Sequence, residues 1–308
     1  ISAALAGMTA TAFDAYAPLL EDAAVADLIS REGLMVILSD ARQLDEMKRE
    51  LAIKQRLGVS YEILNATEAR RMVPALGPSV HKAIYYPDVA HVVDPQRLMT
   101  CLARCLVERG GELLQERATG FDLCPEGVRA VRTESGRRTA DLVVVAAGAW
   151  SKPLAATLGS KVPLDTERGY HVMIPNPGIE TRLPLVSADL RFCITPMAKG
   201  LRLAGTVEFA GLDAPPNMAR AELMKRHAKR VFPDLITDGA TTWMGHRPSL
   251  PDSMPVLGRS PHHRNAYFAF GHGHLGLTCA ATSGKAVADL AAGRRPDFDL
   301  APFSANRF

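Results

Sequence analysis

The feature that most constrains the fold of this chain is a glycine-rich turn near its C-terminal end. The stretch AYFAFGHGHLGLTCAATSGKAVADLAAG, residues 266–293, predicts a strand, then the turn GHGHLG, then a helix. Its glycines have the G-x-G-x-x-G spacing of loops that bind dinucleotide phosphates. Only 15 residues follow Gly293, so no second strand ending in an acidic residue can complete a nucleotide-binding unit. We therefore expect that this turn does not bind a pyrophosphate by itself.

The helix after the turn predicts a narrower role. The first N–H groups of a helix have no partner within the helix, and they favour negative charge. The backbone around Thr278 is therefore suited to a phosphate or to the electron-rich pyrimidine edge of a flavin. The alternative is a structural turn whose glycines let a helix pack closely on a sheet, and both interpretations stay open at this point.

Composition excludes several other classes of protein. The formal net charge of +3 over 308 residues is too small to indicate nucleic-acid binding, and the hydrophobic fraction of 47% is ordinary for a globular protein. No apolar run approaches the ~18 residues of a membrane-spanning helix. The five cysteines show no C-x-x-C spacing, and the nine histidines show no metal-ligand spacing, so we expect no metal. Because the chain opens on Ile1 directly in helical periodicity, we expect its natural N-terminus to lie upstream.

The pattern along the chain predicts two kinds of sheet. The apolar run ADLVVVAAGAW, residues 140–150, predicts a strand buried on both faces. Ala147 and Gly148 are small where this strand ends, as the close approach of a ligand or a neighbouring backbone requires. Between residues 161 and 208, several β-like segments separated by turn signals predict an antiparallel sheet.

Four segments together resemble the D-amino-acid dehydrogenases of the wider D-amino-acid and glycine/sarcosine oxidoreductase family. They are FGHGHLGLT, WMGHRPSLPDSMPVLG, GLRLAGTVEFAGLDAPPN and VVVAAGAWS. The resemblance covers nearly the whole chain from about Gly33 onward and is densest over residues 165–308. It implies FAD as the cofactor. It also implies that the late turn is the second flavin-facing element, because relatives bind the FAD pyrophosphate with an opening strand–G-x-G-x-x-G–helix that this sequence lacks.

The same resemblance implies a mixed α+β and α/β fold. A partial FAD-binding (Rossmann-like) domain, residues 93–155 plus 255–300, is expected to be interleaved with an antiparallel-sheet substrate domain, residues 1–92 plus 156–254. The implied location is cytoplasmic, and peripheral association with the inner face of a bacterial membrane stays open.

The resemblance implies an enzyme that oxidatively deaminates D-amino acids to 2-oxo acids. Hydride passes from the substrate Cα to the flavin N5, and the electrons pass to a quinone-type acceptor. Two alternatives stay open. One is a glycine, sarcosine or D-imino-acid oxidase that uses O2, and the other is a non-catalytic fragment.

Arg247 and the turn residues are assigned by position in the matching motifs. Tyr170 and Thr195 are assigned because they lie on the strands of the predicted sheet, which in the family covers the flavin face, and Tyr86 and His91 are candidates for the rim. Arg247 corresponds to the arginine that binds the substrate carboxylate, and the alternative for it is a structural ion pair with Asp252. Either His272 or His274 is expected to face the site, and no general base is identified. The catalytic set is Arg247, Tyr170 and His274; the substrate set adds Tyr86, His91 and Thr195; the cofactor set is Ala147, Gly148, Gly271, Gly273, His274, Leu275, Gly276, Leu277 and Thr278.

Overall fold

A computed structural model describes all 308 residues, which form eight α-helices and sixteen β-strands. The helices are α1 (Ser2–Ala10), α2 (Ala12–Asp22), α3 (Arg42–Arg56), α4 (Ala66–Met72), α5 (Pro95–Glu108), α6 (Ser151–Thr157), α7 (Ala219–Val231) and α8 (Gly276–Ala291). The strands are β1 (Ile29–Ser30), β2 (Leu34–Leu38), β3 (Glu62–Asn65), β4 (Lys82–Tyr86), β5 (His91–Val92), β6 (Ala118–Cys124), β7 (Gly127–Thr133), β8 (Gly136–Thr139), β9 (Val143–Val145), β10 (Asp165–Ile174), β11 (Leu185–Ser187), β12 (Phe192–Met197), β13 (Gly200–Glu208), β14 (Thr241–Ser249), β15 (Val256–Arg259) and β16 (Ala266–Phe270).

The largest element is an eight-stranded sheet with the order β14-β10-β13-β12-β11-β2-β4-β3. All of its pairings are antiparallel except that of β11 with β2. The antiparallel sheet expected between residues 161 and 208 is therefore present, and strands from both earlier and later in the chain extend it.

One face of this sheet carries the main hydrophobic core. Side chains alternate between the two faces of a strand, and the inward residues of β10, β12 and β13 pack under α7. Ala221, Met224, Ala228 and Val231 of α7 are buried at the three- and four-residue spacing of one helix face. The residues 225, 226, 229 and 230 fall between them, as a solvated helix face requires.

A second, smaller sheet has the order β15-β16-β9, with β16 parallel to β9 and followed directly by α8. Helices α1 and α2 pack on α8: the Tyr16 hydroxyl donates to the Leu277 carbonyl at 2.5 Å, and Met8 packs with Cys279. The packing of residues 2–22 therefore associates them with α8, not with the eight-stranded sheet of the expected substrate domain.

Two helix starts follow from local sequence signals, whereas one prediction about a strand was wrong. Asn65 and Glu68 form a capping box at the start of α4, and the Asp94 side chain caps α5 ahead of Pro95. The expected burial of the 140–150 strand on both faces was wrong, because β9 pairs only with β16 and Val144 is 46% exposed. No helix of the chain combines the length and the apolar character needed to cross a membrane.

A buried polar cluster on the core side fixes the loop after β13. The Arg168 side chain is 0% exposed, and its guanidinium donates to the carbonyls of Gly211, Ala214 and Pro215 at 2.6–3.2 Å. Glu208 lies 3.8 Å from this guanidinium and accepts a hydrogen bond from the Tyr170 hydroxyl. The cluster ties the loop of residues 209–217 to β10.

We predict that Arg168→Met lowers the free energy of unfolding by about 3–5 kcal/mol, because it leaves the Glu208 carboxylate without its buried cation. Chemical denaturation of the variant and of the wild-type protein measures the difference. Arg129→Met is the matched control, since Arg129 is an exposed strand arginine, and a change within about 0.5 kcal/mol is expected there. Equal losses in both variants would contradict the assignment.

Candidate active site

A cavity of about 700 Å³ lies between the eight-stranded sheet, helix α2 and the start of α8. The residues that line it include five of those expected to bind substrate or cofactor: His91, Thr195, His274, Leu277 and Thr278. They come from three separate parts of the chain, so the fold assembles positions that sequence analysis could select only one at a time.

Arg247 lies on the same side of the sheet as this cavity, where its charge acts on His274, but its side chain is not part of the cavity lining. Its guanidinium folds back over Gly169 of the neighbouring strand, where an added Cβ would lie 2.1 Å from Arg247 Cζ. One Nη donates to the Thr206 carbonyl at 3.2 Å, and this is the only hydrogen bond that the side chain makes. Burial lowers the pKa of Arg247, although a guanidinium stays charged at any pH of interest. Most of its five donors are therefore free for a ligand.

The alternative role for Arg247, a structural ion pair with Asp252, is wrong. Asp252 instead pairs with Arg307, whose Nε lies 2.7 Å from the carboxylate. No carboxylate oxygen lies within 4.0 Å of the Arg247 guanidinium, even though Glu167 is its partner in the strand register. A half-buried cation without a counter-ion is suited to an anionic ligand.

Thr206 is a strained residue beside Arg247 that sequence analysis missed. Its φ of 58° lies in the left-handed region, which is costly for a β-branched residue, by about 1–3 kcal/mol. It follows a register shift between β10 and β13, and its hydroxyl is buried without a hydrogen-bond partner. The unusual backbone turns its carbonyl toward the Arg247 guanidinium. No sequence signal marks such a bulge.

Arg202 is a second cation that sequence analysis missed. It lines the cavity, its side chain forms no hydrogen bond or ion pair, and its Nε is buried without a partner. Burial lowers the pKa of Arg202, and the positive charge of Arg247 acts in the same direction. Its position could have been found from the alternation in LRLAGT, because Leu201 and Leu203 are core residues and Arg202 falls between them.

Of the two histidines in the glycine turn, His274 faces the cavity. Burial lowers its pKa, and the nearby charge of Arg247 lowers it further, so the imidazole is neutral at pH 7. His272 instead hydrogen-bonds the hydroxyl of Ser283, in helix α8, at 2.9 Å. His91, also in the cavity wall, donates from Nε2 to the Pro196 carbonyl, which leaves Nδ1 as an unpartnered acceptor.

Two tyrosines expected to bind substrate lie elsewhere. Tyr170 pairs in register with Met244, three residues from Arg247, so the alternation of the strand puts Tyr170 on the opposite, core face. It is 1% exposed, and Glu208 and the Asn217 N–H both bind its hydroxyl. Tyr86 lies under α3, where the Lys54 ammonium contacts its ring and hydroxyl. Neither tyrosine reaches the cavity beside Arg247.

The glycine turns meet at the strand that carries Arg247. The 3-10 turns Gly148–Trp150 and Gly273–Leu275 both contact β14. Gly148, Gly271 and Gly273 have φ values of 56°, 82° and 52°. Glycine adopts this left-handed backbone conformation without the steric cost that other residues have, which explains why glycine occupies these three positions. An added Cβ would meet no atom within 4 Å at Gly148, and only Ser249 Oγ, at 3.7 Å, at Gly273. The backbone of both turns is therefore open to close approach.

The structure brings no three His, Cys, Asp or Glu side chains into a group that could bind a metal ion. Its cavity chemistry rests on guanidinium groups, neutral imidazoles and backbone amides.

Comparison with known proteins gives the family. The family described as DAO, FAD dependent oxidoreductase, matches residues 2–290. The chain is 40% identical over 294 residues to a D-amino-acid oxidase of Bradyrhizobium diazoefficiens, covering 94% of this chain and 70% of that protein. It is 30% identical over 285 residues to a D-amino acid dehydrogenase of Granulibacter bethesdensis, covering 90% and 67%. The glycine oxidase structure from Geobacillus kaustophilus superposes with a TM-score of 0.85 at 24% identity, covering 98% of this chain and 81% of that one.

The chain belongs to the DAO family of FAD-dependent oxidoreductases, which confirms the resemblance and the mixed α/β fold. FAD is the family's cofactor, and the open turns fit the flavin end of it. Helix α8 has no side-chain cap at its N-terminus, so its first N–H groups are available to a flavin oxygen or nitrogen. The turns at Gly148 and Gly273 leave room for a planar ring beside β14.

We predict that stability falls as the pH is lowered from 6.5 to 4, because burial holds the pKa of His272 at about 4. Between pH 6.5 and pH 4 the unfolded chain binds a proton at this histidine and the folded chain does not. The contribution of His272 to the free energy of unfolding is therefore complete above pH 6.5 and is lost by pH 4. The loss for this residue is about 3 kcal/mol. Denaturation at pH 7 and pH 4.5 should show a shallower pH dependence for His272→Gln, whereas the same change at the exposed His262 should leave the slope as in wild type. An unchanged slope in His272→Gln would contradict the prediction.

Proposed function

We propose that this protein oxidises D-amino acids to 2-oxo acids and ammonia. FAD-dependent amino-acid oxidation is the activity of its family. The observation that supports an amino-acid substrate is Arg247. It is a half-buried guanidinium without a carboxylate within 4.0 Å, and it lies beside the uncapped start of α8. A small molecule with a carboxylate is suited to bridge these two elements.

Arg247 binds the α-carboxylate in this proposal. A planar guanidinium can donate to both carboxylate oxygens, and each charge-assisted bond contributes about 1.5–3 kcal/mol. The Thr206 carbonyl holds one end of the guanidinium, so little side-chain entropy is lost on binding. Anchoring the carboxylate fixes the direction of the Cα–H bond.

The substrate must lose a hydride from Cα and a proton from nitrogen, giving an imine that water converts to the 2-oxo acid and ammonia. When bound, FAD supplies the two-electron acceptor for this step. The cavity residues favour the neutral amine, because Arg202 and Arg247 are cations and His274 is uncharged. The proton on nitrogen is therefore lost to solvent without a dedicated base.

The D-configuration and the electron acceptor are inferred from the relatives. The matches include proteins called D-amino-acid oxidase, D-amino acid dehydrogenase and glycine oxidase, the last from Pseudomonas putida at 33% identity. The proposal is that D-amino acids are the substrates and a quinone-type molecule is the acceptor, with glycine and O2 as the competing choices.

The purified flavoprotein should release ammonia from D-amino acids faster than from their L-enantiomers or from glycine. Peroxide production in air, compared with anaerobic reduction of a quinone analogue, identifies the acceptor. Faster oxidation of glycine would replace the proposed substrate, and no turnover with any amino acid would support a non-catalytic chain.

We predict that Arg247→Met lowers kcat/KM for a D-amino acid by about 10²- to 10⁴-fold, the equivalent of two lost charge-assisted bonds. Arg247→Lys should recover part of the loss, since it keeps the charge but not the two-pronged geometry. Steady-state kinetics of both variants measures the effect. A decrease below about threefold in Arg247→Met would exclude this residue as the carboxylate anchor.

Gly169→Ala should raise KM by about tenfold or more while changing stability little. The new methyl group occupies the space of the Arg247 guanidinium, and a flexible side chain yields more readily than backbone. Gly120→Ala is a matched control. The new Cβ would lie 2.7 Å from the guanidinium of Arg132, but both residues belong to the separate β6-β7-β8 sheet, away from the cavity. Normal kinetics in Gly169→Ala would show that the position of Arg247 above Gly169 does not matter.

A further inference from the structure

The cavity side of the sheet carries two guanidinium groups and not one. Arg247 and Arg202 lie in β14 and β13, on either side of β10, and the charge of Arg247 contributes to lowering the pKa of Arg202. The register explains their common side. Arg202 pairs with Met173, which lies four residues from Gly169, the residue under the Arg247 guanidinium.

The charge of Glu167, the cross-strand partner of Arg247, acts on that arginine and opposes the lowering of its pKa by burial, whereas no carboxylate acts in this way on Arg202. Neither arginine has a carboxylate oxygen within 4.0 Å, and the Arg202 side chain has no hydrogen bond at all. Cys193 lies within the field of both cations, but burial raises the pKa of its thiol, so it is uncharged at pH 7. The other charged residues of the cavity wall, Glu21 and Arg31, are exposed and opposite in sign.

Glu167 offsets part of the Arg247 charge, so the buried charge without any nearby carboxylate is that of Arg202. The α-carboxylate satisfies Arg247 and leaves Arg202 desolvated and unpaired, which is an unfavourable arrangement. A second carboxylate in the same ligand removes this imbalance. Thr195, the cross-strand partner of Arg202, also lines the cavity, and its hydroxyl has no hydrogen bond to the protein. It gives the second carboxylate a further donor.

We infer that the substrate carries a carboxylate on its side chain, which Arg202 binds while Arg247 binds the α-carboxylate: an acidic D-amino acid of the aspartate or glutamate class. This inference rests on the proposed function and names its substrate class. The reaction itself is unchanged, since the side-chain carboxylate takes no part in bond making or breaking.

Kinetic selectivity tests the inference. The wild-type enzyme should show a higher kcat/KM for D-glutamate than for D-glutamine, and for D-aspartate than for D-asparagine, by about 10- to 100-fold. Arg202→Met should abolish this ratio, and Arg202→Lys should retain part of it. Arg129→Met, an exposed strand arginine outside the cavity, should keep the wild-type ratio. A wild-type preference for the amides, or an unchanged ratio in Arg202→Met, would overturn the inference.

A binding measurement gives a second readout that needs no turnover. Glutarate should raise the Tm of the wild-type protein by a few degrees more than butyrate at the same concentration and ionic strength. The difference should vanish in Arg202→Met and persist in Arg129→Met. Equal effects of the two acids on the wild-type protein would contradict a second carboxylate site.

The two proposals fail in different ways. Oxidation of neutral but not acidic D-amino acids would sustain the proposed function and overturn the substrate class. Selective glutarate binding without oxidation of any D-amino acid would sustain the two-arginine site and overturn the proposed function.

Discussion

The site depends on the alternation of side chains along three antiparallel strands. In β10 and β13, alternate residues join the core under α7 and Met244 of β14 packs against it, while the intervening residues face the cavity side. Burial of Leu201, Leu203 and Val172 therefore also fixes the direction of Arg202 and of the residues opposite it. A slip of one residue would exchange the faces, burying the arginines in the core and exposing the leucines. The hydrophobic core thus holds the charged side chains in place.

One irregularity in this sheet adjusts the position of Arg247. Between Arg168 and Tyr170 the pairing with β13 shifts register, and opposite the shift Thr206 adopts a left-handed backbone conformation. Gly169 lies within the shift and has no side chain to obstruct the guanidinium. Strain of this kind persists only where the surroundings over-determine it. Here the buried Arg168 cluster on one face and Arg247 on the other constrain the same few residues.

The sequence was informative where local chemistry sets structure. The capping residues Asn65 and Asp94, the glycine turn and Arg247 all lie within short segments whose signals are local. It was less informative where pairing decides the outcome. Tyr170 was grouped with Arg247 because its strand belongs to the predicted sheet, but the register that separates them depends on strands about 75 residues apart in sequence. Arg202 was overlooked because its importance comes from the absence of an acidic neighbour, and only three-dimensional packing reveals such an absence.

The missing counter-ion also explains why both arginines can be tolerated. A desolvated cation is destabilising, and it would be avoided in a site that served only to hold the fold together. The chain has carboxylates to spare nearby: Glu208 binds Arg168 and Arg220, and Asp252 binds Arg307. Glu208 lies in the strand of Arg202, and Glu167 lies across from Arg247 in β10, but neither carboxylate comes within 4.0 Å of these two guanidinium groups. The free protein therefore carries an unfavourable desolvation free energy at these arginines, and an anionic ligand removes it on binding. The affinity for that ligand then depends on Arg202 and Arg247 together.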